Sequence, residues 1–406
     1  MNRITIRNIA LVFVGLMLTG LIGWYWFLSS ETDDATTLGD ARGFGESIPS
    51  FSDDSGSTFA NIVSGVETNT QEGAGEPARL WRITASPVAG AGFVGSTTPE
   101  LYFIERSTGY VFRVDPTIRS VRRLTNTLFA KTYEAFVGVT GRALLRGLAE
   151  SGAITTISGA ASSTEASANS FVSRELPPHI QAITFSPDAK EVFYLIPDGA
   201  GGFAGVRAAF DGTTPKKIFS TTLSNWQTTW TAGDGIVLTQ NAASDVEGSS
   251  YVLADSGALT PLVRRVEGLN ALPDPYSDAL LYSSSADGGV SLFIQPTKTG
   301  TSVRVSLSTV ANKCVWSPVR PGVAFCAVPT TIPLGAFIDN WYRGVAYTND
   351  SWWKVDARSG AIEELYAGED PGNLPDVSRP TIDPTGSYIS FIDSRDTSLW
   401  LFRIKN

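Results

Sequence analysis

The sequence predicts an all-β fold built from seven repeats of a four-stranded unit, preceded by one apolar membrane-spanning helix. Three observations predict it. From residue 80 onward, short runs rich in Val, Ile, Phe, Tyr and Thr alternate with Gly, Pro, Asp and Ser clusters, and helical periodicity is nearly missing. Along that stretch a turn built on Ser-Pro or Asp-Pro recurs, and with Ala232 in the matching place of one degenerate unit the steps are 45, 43, 43 and 66 residues. Near the N-terminus, residues 9–28 carry no charge at all.

The apolar segment reads IALVFVGLMLTGLIGWYWFL. At ~1.5 Å rise per residue it spans ~30 Å, the thickness of a bilayer's hydrocarbon core. Trp24, Tyr25 and Trp26 sit at its outer end, where amphipathic rings favour the headgroup level. Arg3 and Arg7 precede it and Glu31, Asp33 and Asp34 follow it. The positive-inside rule therefore puts residues 1–8 in the cytoplasm and residues 29–406 outside, as a single-pass protein of the cell membrane. The competing reading is a cleaved signal peptide. Its apolar core is ordinarily ~7–15 residues long and ends in small residues, whereas this run ends in Trp-Phe-Leu. An uncleaved signal-anchor is the expectation.

Charge separates the next segment from the rest. Residues 29–78 hold ten acidic residues and one basic residue, Arg42, while the whole chain carries −9. The part beyond residue 78 is nearly neutral, with 28 basic and 30 acidic residues. A near-neutral body lacks the clustered Lys and Arg that displace counterions, so nucleic acid is not an expected partner. Residues 29–78 are rich in Ser, Thr, Gly and Asp without sustained periodicity, which predicts a disordered acidic linker of roughly 40 Å r.m.s. span.

In the repeating part, an apolar stretch enters the proline turn and a second apolar strand leaves it. The unit appears as Thr184-Phe-Ser-Pro-Asp, Leu272-Pro-Asp-Pro-Tyr, Val315-Trp-Ser-Pro-Val and Ile382-Asp-Pro-Thr-Gly. Proline presets φ for the second turn position, and the Ser or Asp before it caps the turn. Anchoring on Pro187, Pro275, Pro318 and Pro384, with Ala232 in a degenerate unit, Pro87 opening the first and one more unit near residues 136–140, gives seven units. A period of ~40–45 residues belongs to propeller blades. Phe185-Ser-Pro-Asp-Ala-Lys and Ile382-Asp-Pro-Thr-Gly-Ser-Tyr-Ile-Ser-Phe resemble the blade-opening hairpin of TolB-like and WD-repeat-like β-propellers, over residues 79–406, although the Trp-Asp dipeptide is missing. The last unit offers only three strands before the chain ends, so Arg79-Leu-Trp-Arg-Ile-Thr is expected to supply its outer strand and close the ring.

Motifs that suggest chemistry are few. Gly90-Ala-Gly-Phe-Val-Gly fits the dinucleotide pattern but precedes a strand, so it reads as a blade turn. Ser351-Trp-Trp-Lys354 spells a hydrolase signature inside an apparent strand, where positions three apart face opposite sides. His179, the one histidine, follows Pro177-Pro178 in a loop and reads as a surface or turn residue. A single histidine excludes multi-histidine metal sites, and no calcium loop is present, so no metal or cofactor is expected. Carboxylates are plentiful at turns (Asp188, Asp211, Asp287, Asp383, Asp393, Asp396), and an acid pair in the central funnel is what a glycan hydrolase would need, although any acidic propeller offers such pairs by chance. Cys314 and Cys326 flank one predicted hairpin and can form a cross-strand disulfide in the right register. A short polar loop at about 158–171 reads as a spacer.

The unit that starts at Cys314 is the long one. Its extra residues include Ile332-Pro-Leu-Gly-Ala-Phe-Ile-Asp-Asn-Trp-Tyr-Arg-Gly344. Trp, Tyr and Arg dominate binding hot spots, so Trp341, Tyr342 and Arg343 with Asp339 are the candidate binding residues, against the alternative that the aromatics fold back as a lid. The expectation is a membrane-anchored, extracytoplasmic propeller that is not an enzyme and binds or scaffolds an envelope protein, peptide or glycan. The alternative is an envelope glycan hydrolase that uses carboxylates in the central funnel.

Overall fold

A computed structural model describes Met17 and residues 78–161, 170–231, 235–240, 243–285, 289–297, 300–333 and 335–404. The expected membrane helix at 9–28, apart from Met17, and all but the last residue of the acidic linker at 29–78 lie outside the described residues. Among the described residues no helix is long and apolar enough to cross a membrane.

Among the described residues, twenty-eight strands form seven four-stranded antiparallel sheets, a seven-bladed propeller. The innermost strands, in chain order, are β2 (Val88–Val94), β6 (Thr132–Val137), β10 (Ala182–Phe185), β14 (Trp226–Trp230), β18 (Asn270–Pro273), β22 (Cys314–Trp316) and β26 (Val377–Ile382). The ring closes through β1 (Leu80–Thr84), which pairs antiparallel with β28 (Leu399–Arg403), Leu80 opposite Phe402 and Trp81 opposite Leu401. Arg79 secures the closure by donating to the carbonyls of Leu365 (2.9 Å) and Ile404 (2.8 Å). The N-terminal strand thus fills the outer position of the last blade and pairs the edge of β28 that would otherwise be open.

Each sheet is stacked between two others, so both of its faces are buried. That is why the strands read as continuous apolar runs rather than alternating ones. All seven residues of β23 (Val323–Pro329) are buried. At the seam between blades six and seven, Trp352 stacks on Phe402 with ring centroids 5.3 Å apart, and Val323, Phe325, Ile389 and Phe391 complete the cluster.

The turns behave as their chemistry predicts. Asp383 accepts from the backbone N–H of Thr385 (3.0 Å), Ser387 (2.6 Å) and Tyr388 (2.6 Å). Ser186 accepts from Lys190 and Glu191 (3.1 and 3.0 Å) in the same way. Asp274 caps its own turn through Tyr276 N (2.8 Å) and also accepts from Gly322 N of the next blade (2.9 Å).

Three local expectations need correction. Pro87 does not sit in the first hairpin turn; it precedes β2, and the turn falls at residues 95–99. The spacer expected at about 158–171 begins later, because β8 (Ile154–Ala161) and β9 (Phe171–Glu175) take up its ends, and residues 162–169 lie outside the described residues. Gly90 and Gly92 lie inside β2, not in a turn. A Cβ on Gly90 would stand 1.9 Å from the Ala135 carbonyl oxygen, and one on Gly92 2.5 Å from that of Val137. Glycine here lets two inner strands approach around the axis.

Candidate functional site

The seven inner strands surround an axial cavity of about 800 Å³, to which each contributes at least one residue. Small and apolar groups make up most of its wall. Its charged groups are three arginines, Arg106, Arg146 and Arg379, and one carboxylate, Glu134.

Glu134 lies on β6 and Arg379 on β26. One carboxylate oxygen of Glu134 accepts from Arg379 Nη2 at 2.9 Å, and the other pairs with Arg146 Nη1. Arg146 also donates to the carbonyls of Ile180 (2.7 Å) and Gln181 (3.3 Å), which fixes its plane. Arg379 donates a further bond to Ala89 O at 3.1 Å, across to the first blade. It occupies a left-handed backbone position, φ +49, within an irregularity of β26 between Ser378 and Thr381. That conformation is rare for a side chain of this kind and marks a residue whose direction the surrounding structure dictates. Arg106 stands with its guanidinium carbon 5.4 Å from the centre of the Tyr133 ring and makes no ion pair among the described residues. The mouth therefore holds an excess of two positive charges in a partly enclosed space, where the guanidinium fork suits a carboxylate.

The insertion of blade six covers one side of this mouth. A short helix, Phe337–Tyr342, lies between β23 and β24 (Asp350–Asp356). Phe337, Ile338 and Trp341 are buried against Val290 and Val310. Asp339 accepts from Ser244 N at 3.0 Å, which ties the helix to the neighbouring blades. Trp341 donates its indole N–H to both oxygens of Asp376 at 3.1 Å. Tyr342 turns its hydroxyl inward, donating to Asn270 and accepting from Asn312 Nδ2 at 2.7 Å. Burial of that hydroxyl pushes its pKa up to about 12, although the ring remains 53% exposed. Arg343 donates to Asn340 Oδ1 at 2.7 Å and faces outward.

Of the four residues the sequence singled out, Trp341 and Tyr342 line the cavity and Asp339 and Arg343 do not. Trp341 folds back onto the propeller, whereas Tyr342 turns its hydroxyl inward and stays 53% exposed. Cys314 lies directly opposite Cys326 in the β22–β23 register, and the two sulfurs are joined. Ser351 and Lys354 lie on one strand, with the Ser351 hydroxyl bonded to Val328 O (3.2 Å) and Lys354 paired with Glu363. His179 sits in a turn at φ +62.

The described turn carboxylates are not among the residues that line the channel. Asp188, Asp211, Asp383, Asp393 and Asp396 each accept backbone N–H bonds in their own loops, and Asp287 lies outside the described residues. The paired acids that a funnel hydrolase requires are therefore not among the described lining, which has Glu134 alone. Sequence reasoning missed the arginines and Glu134. The available signal was a charged residue within an inner strand, as in Thr132-Tyr-Glu-Ala-Phe-Val and Val377-Ser-Arg-Pro-Thr-Ile, where every neighbour faces the axis or another blade.

The sequence matches no protein-family model and no curated protein. The fold is similar to solved propellers. The β-propeller domain of the Trilobed protease from Pyrococcus furiosus aligns with TM-score 0.52 at 8% identity, over 79% of this chain and 98% of that one. An oligogalacturonate lyase from Vibrio parahaemolyticus aligns with TM-score 0.50 at 7% identity, over 80% and 94%. An acylaminoacyl peptidase aligns with TM-score 0.50 at 8% identity, over 79% and 52%. These likenesses establish the seven-bladed fold. They also correct the expectation that the chain is not an enzyme, since the structures named include an oligogalacturonate lyase and a peptidase. The missing catalytic motifs were no ground for excluding catalysis on this fold.

Proposed function

We propose that this chain is a membrane-anchored, extracytoplasmic propeller of TolB-like kind that takes an acidic glycan into its channel mouth and cleaves it. The observation that carries the reading is the charge of that mouth: Arg106, Arg146 and Arg379 against Glu134, within a chain whose net charge is −9. Two of the propellers of similar shape are oligogalacturonate lyases, enzymes named for an acidic sugar oligomer. Arg379 and Arg106 are the cations open to a sugar carboxylate, since Arg146 is committed to Glu134 and two carbonyls. A guanidinium on that carboxylate stabilises charge developing beside it, which eases removal of the neighbouring carbon-bound proton. Glu134, the lining's one carboxylate, is the group placed to accept or return a proton.

The test uses full-length protein in detergent with oligogalacturonate, and a neutral glucan as control. Release of reducing ends from the acidic substrate, lost in Glu134→Gln, is expected. Equal binding of both glycans, or an unaltered rate in Glu134→Gln, would overturn the reading. A second role is favoured by one observation: Tyr342, Val345 and Tyr347 stand exposed together on the rim of the insertion. We propose this rim as the contact for an envelope protein or peptide. A crosslinking pull-down from native membranes with Tyr342→Ala, Tyr347→Ala should lose the partner, and an unchanged capture would reject the rim.

A further inference from the structure

Beneath the inserted helix lies a charge cluster that the channel does not use. Lys313, Asp350 and Asp376 are all fully shielded from solvent. Lys313 Nζ stands 2.5 Å from Asp350 Oδ2, 2.5 Å from Asp376 Oδ1 and 2.8 Å from Thr348 Oγ1, with the Trp341 ring centre 4.9 Å away. One ammonium and two carboxylates in a dry site leave an excess negative charge, an arrangement whose desolvation cost is not offset by the pairing alone.

The two carboxylates are held differently. Asp376 is saturated: Trp341 donates to both of its oxygens at 3.1 Å and Thr348 donates to Oδ1 at 3.0 Å. Asp350 Oδ2 accepts the Val377 backbone N–H at 2.8 Å, while its Oδ1 is buried and has no hydrogen-bond partner among the described residues. Burial also raises the pKa of Asp350, which favours the neutral acid.

We infer that Lys313 and Asp350 are the reactant pair of an intramolecular isopeptide bond, with Asp376 as the proton relay. After proton transfer from the ammonium to the carboxylate, the Nζ lone pair attacks the Asp350 side-chain carbon. A C–N bond forms, and charge collects on Oδ1 while the Val377 N–H steadies Oδ2. The C–Oδ2 bond then breaks, and Oδ2, the oxygen that Nζ touches, leaves as water carrying the two protons released by the amine, one directly and one passed through Asp376. Nothing is oxidised or reduced and no co-reactant is needed. The product buries one oxygen of Asp350 where the acid buried two. It also removes both charges of the pair and leaves Asp376 held by Trp341 and Thr348. The bond would link the residue before β22 to the first residue of β24, bracketing the insertion that carries the lid.

The test is the intact mass of full-length protein, denatured and with its disulfide reduced. A deficit of one water is expected, together with a branched peptide joining the Lys313 and Asp350 segments and no tryptic cleavage after Lys313. In Asp376→Asn the full mass should return, with the fold retained by circular dichroism. A full mass for the unsubstituted protein, with free cleavage after Lys313, would overturn the inference whatever the variants do. A branch from Lys313 to Asp376 would overturn the assignment of the two carboxylates.

Discussion

Replacing Arg379 by alanine isolates the contribution of the most accessible channel cation. Its side chain is 48% exposed, and it gives up an ion pair of 2.9 Å to Glu134 and one bond of 3.1 Å to Ala89 O. An exposed pair of this kind is worth about 0–1 kcal/mol to stability, so the fold should survive. Glu134 keeps its partner Arg146, which prevents a stranded carboxylate. The ligand loses one charge-assisted hydrogen bond, about 1.5–3 kcal/mol, which corresponds to roughly a 10- to 150-fold weaker Kd for oligogalacturonate. Fluorescence anisotropy with a labelled oligomer, repeated at several salt concentrations, reads both the loss and its screening. Binding within two-fold of the unsubstituted protein at every salt concentration would refute an arginine-based mouth.

Gly90→Ala should destabilise the first two blades by about 1–3 kcal/mol or more, since its Cβ would fall 1.9 Å from Ala135 O; a denaturant midpoint equal to that of the parent protein would show that the strands can part. Trp352→Ala should cost about 3–5 kcal/mol, because the ring is 1% exposed and packs on Phe391 and Phe402, and chemical denaturation measures it. Asp188 is held at about 2 by hydrogen bonds from Lys190 and Ser186. A depressed carboxylate contributes stability above its unfolded pKa, which is lost as pH falls from about 4 towards 2, and the 52% exposure of Asp188 keeps that contribution small. Carboxyl NMR should show its titration near 2, moving upward in Lys190→Ala.

The fold was legible because blade turns have fixed chemistry. Ser or Asp before Pro is demanded wherever a hairpin needs its N–H groups capped, so Ser186, Asp274 and Asp383 stand out in the chain. The first blade escaped because its turn at residues 95–99 has Pro99 at the far end, and Pro87 precedes the strand instead. The channel was illegible for a different reason. Glu134, Arg146 and Arg379 come from blades two and seven and meet only after the ring closes. No spacing along the chain encodes that meeting. Tyr342, a candidate binding residue from the sequence, has its hydroxyl turned in to Asn270 and Asn312, partners from two other segments.

The disulfide offers a test of the proposed extracytoplasmic placement of the propeller. Cys314 and Cys326 are separated by 12 residues, and closing a loop of that size restricts the unfolded chain by about 3 kcal/mol in the chain-entropy treatment. Such a bond persists in oxidising compartments and is reduced in the cytoplasm. Protein taken from cells with its thiols trapped at lysis should therefore carry no free cysteine if the propeller faces outward, and two if it faces inward. Cys326→Ser should lower the unfolding free energy by about that amount only in the first case. If trapped protein carries two free thiols and Cys326→Ser leaves stability unaltered, the extracytoplasmic placement read from Arg3, Arg7 and the acidic residues beyond the apolar segment does not hold.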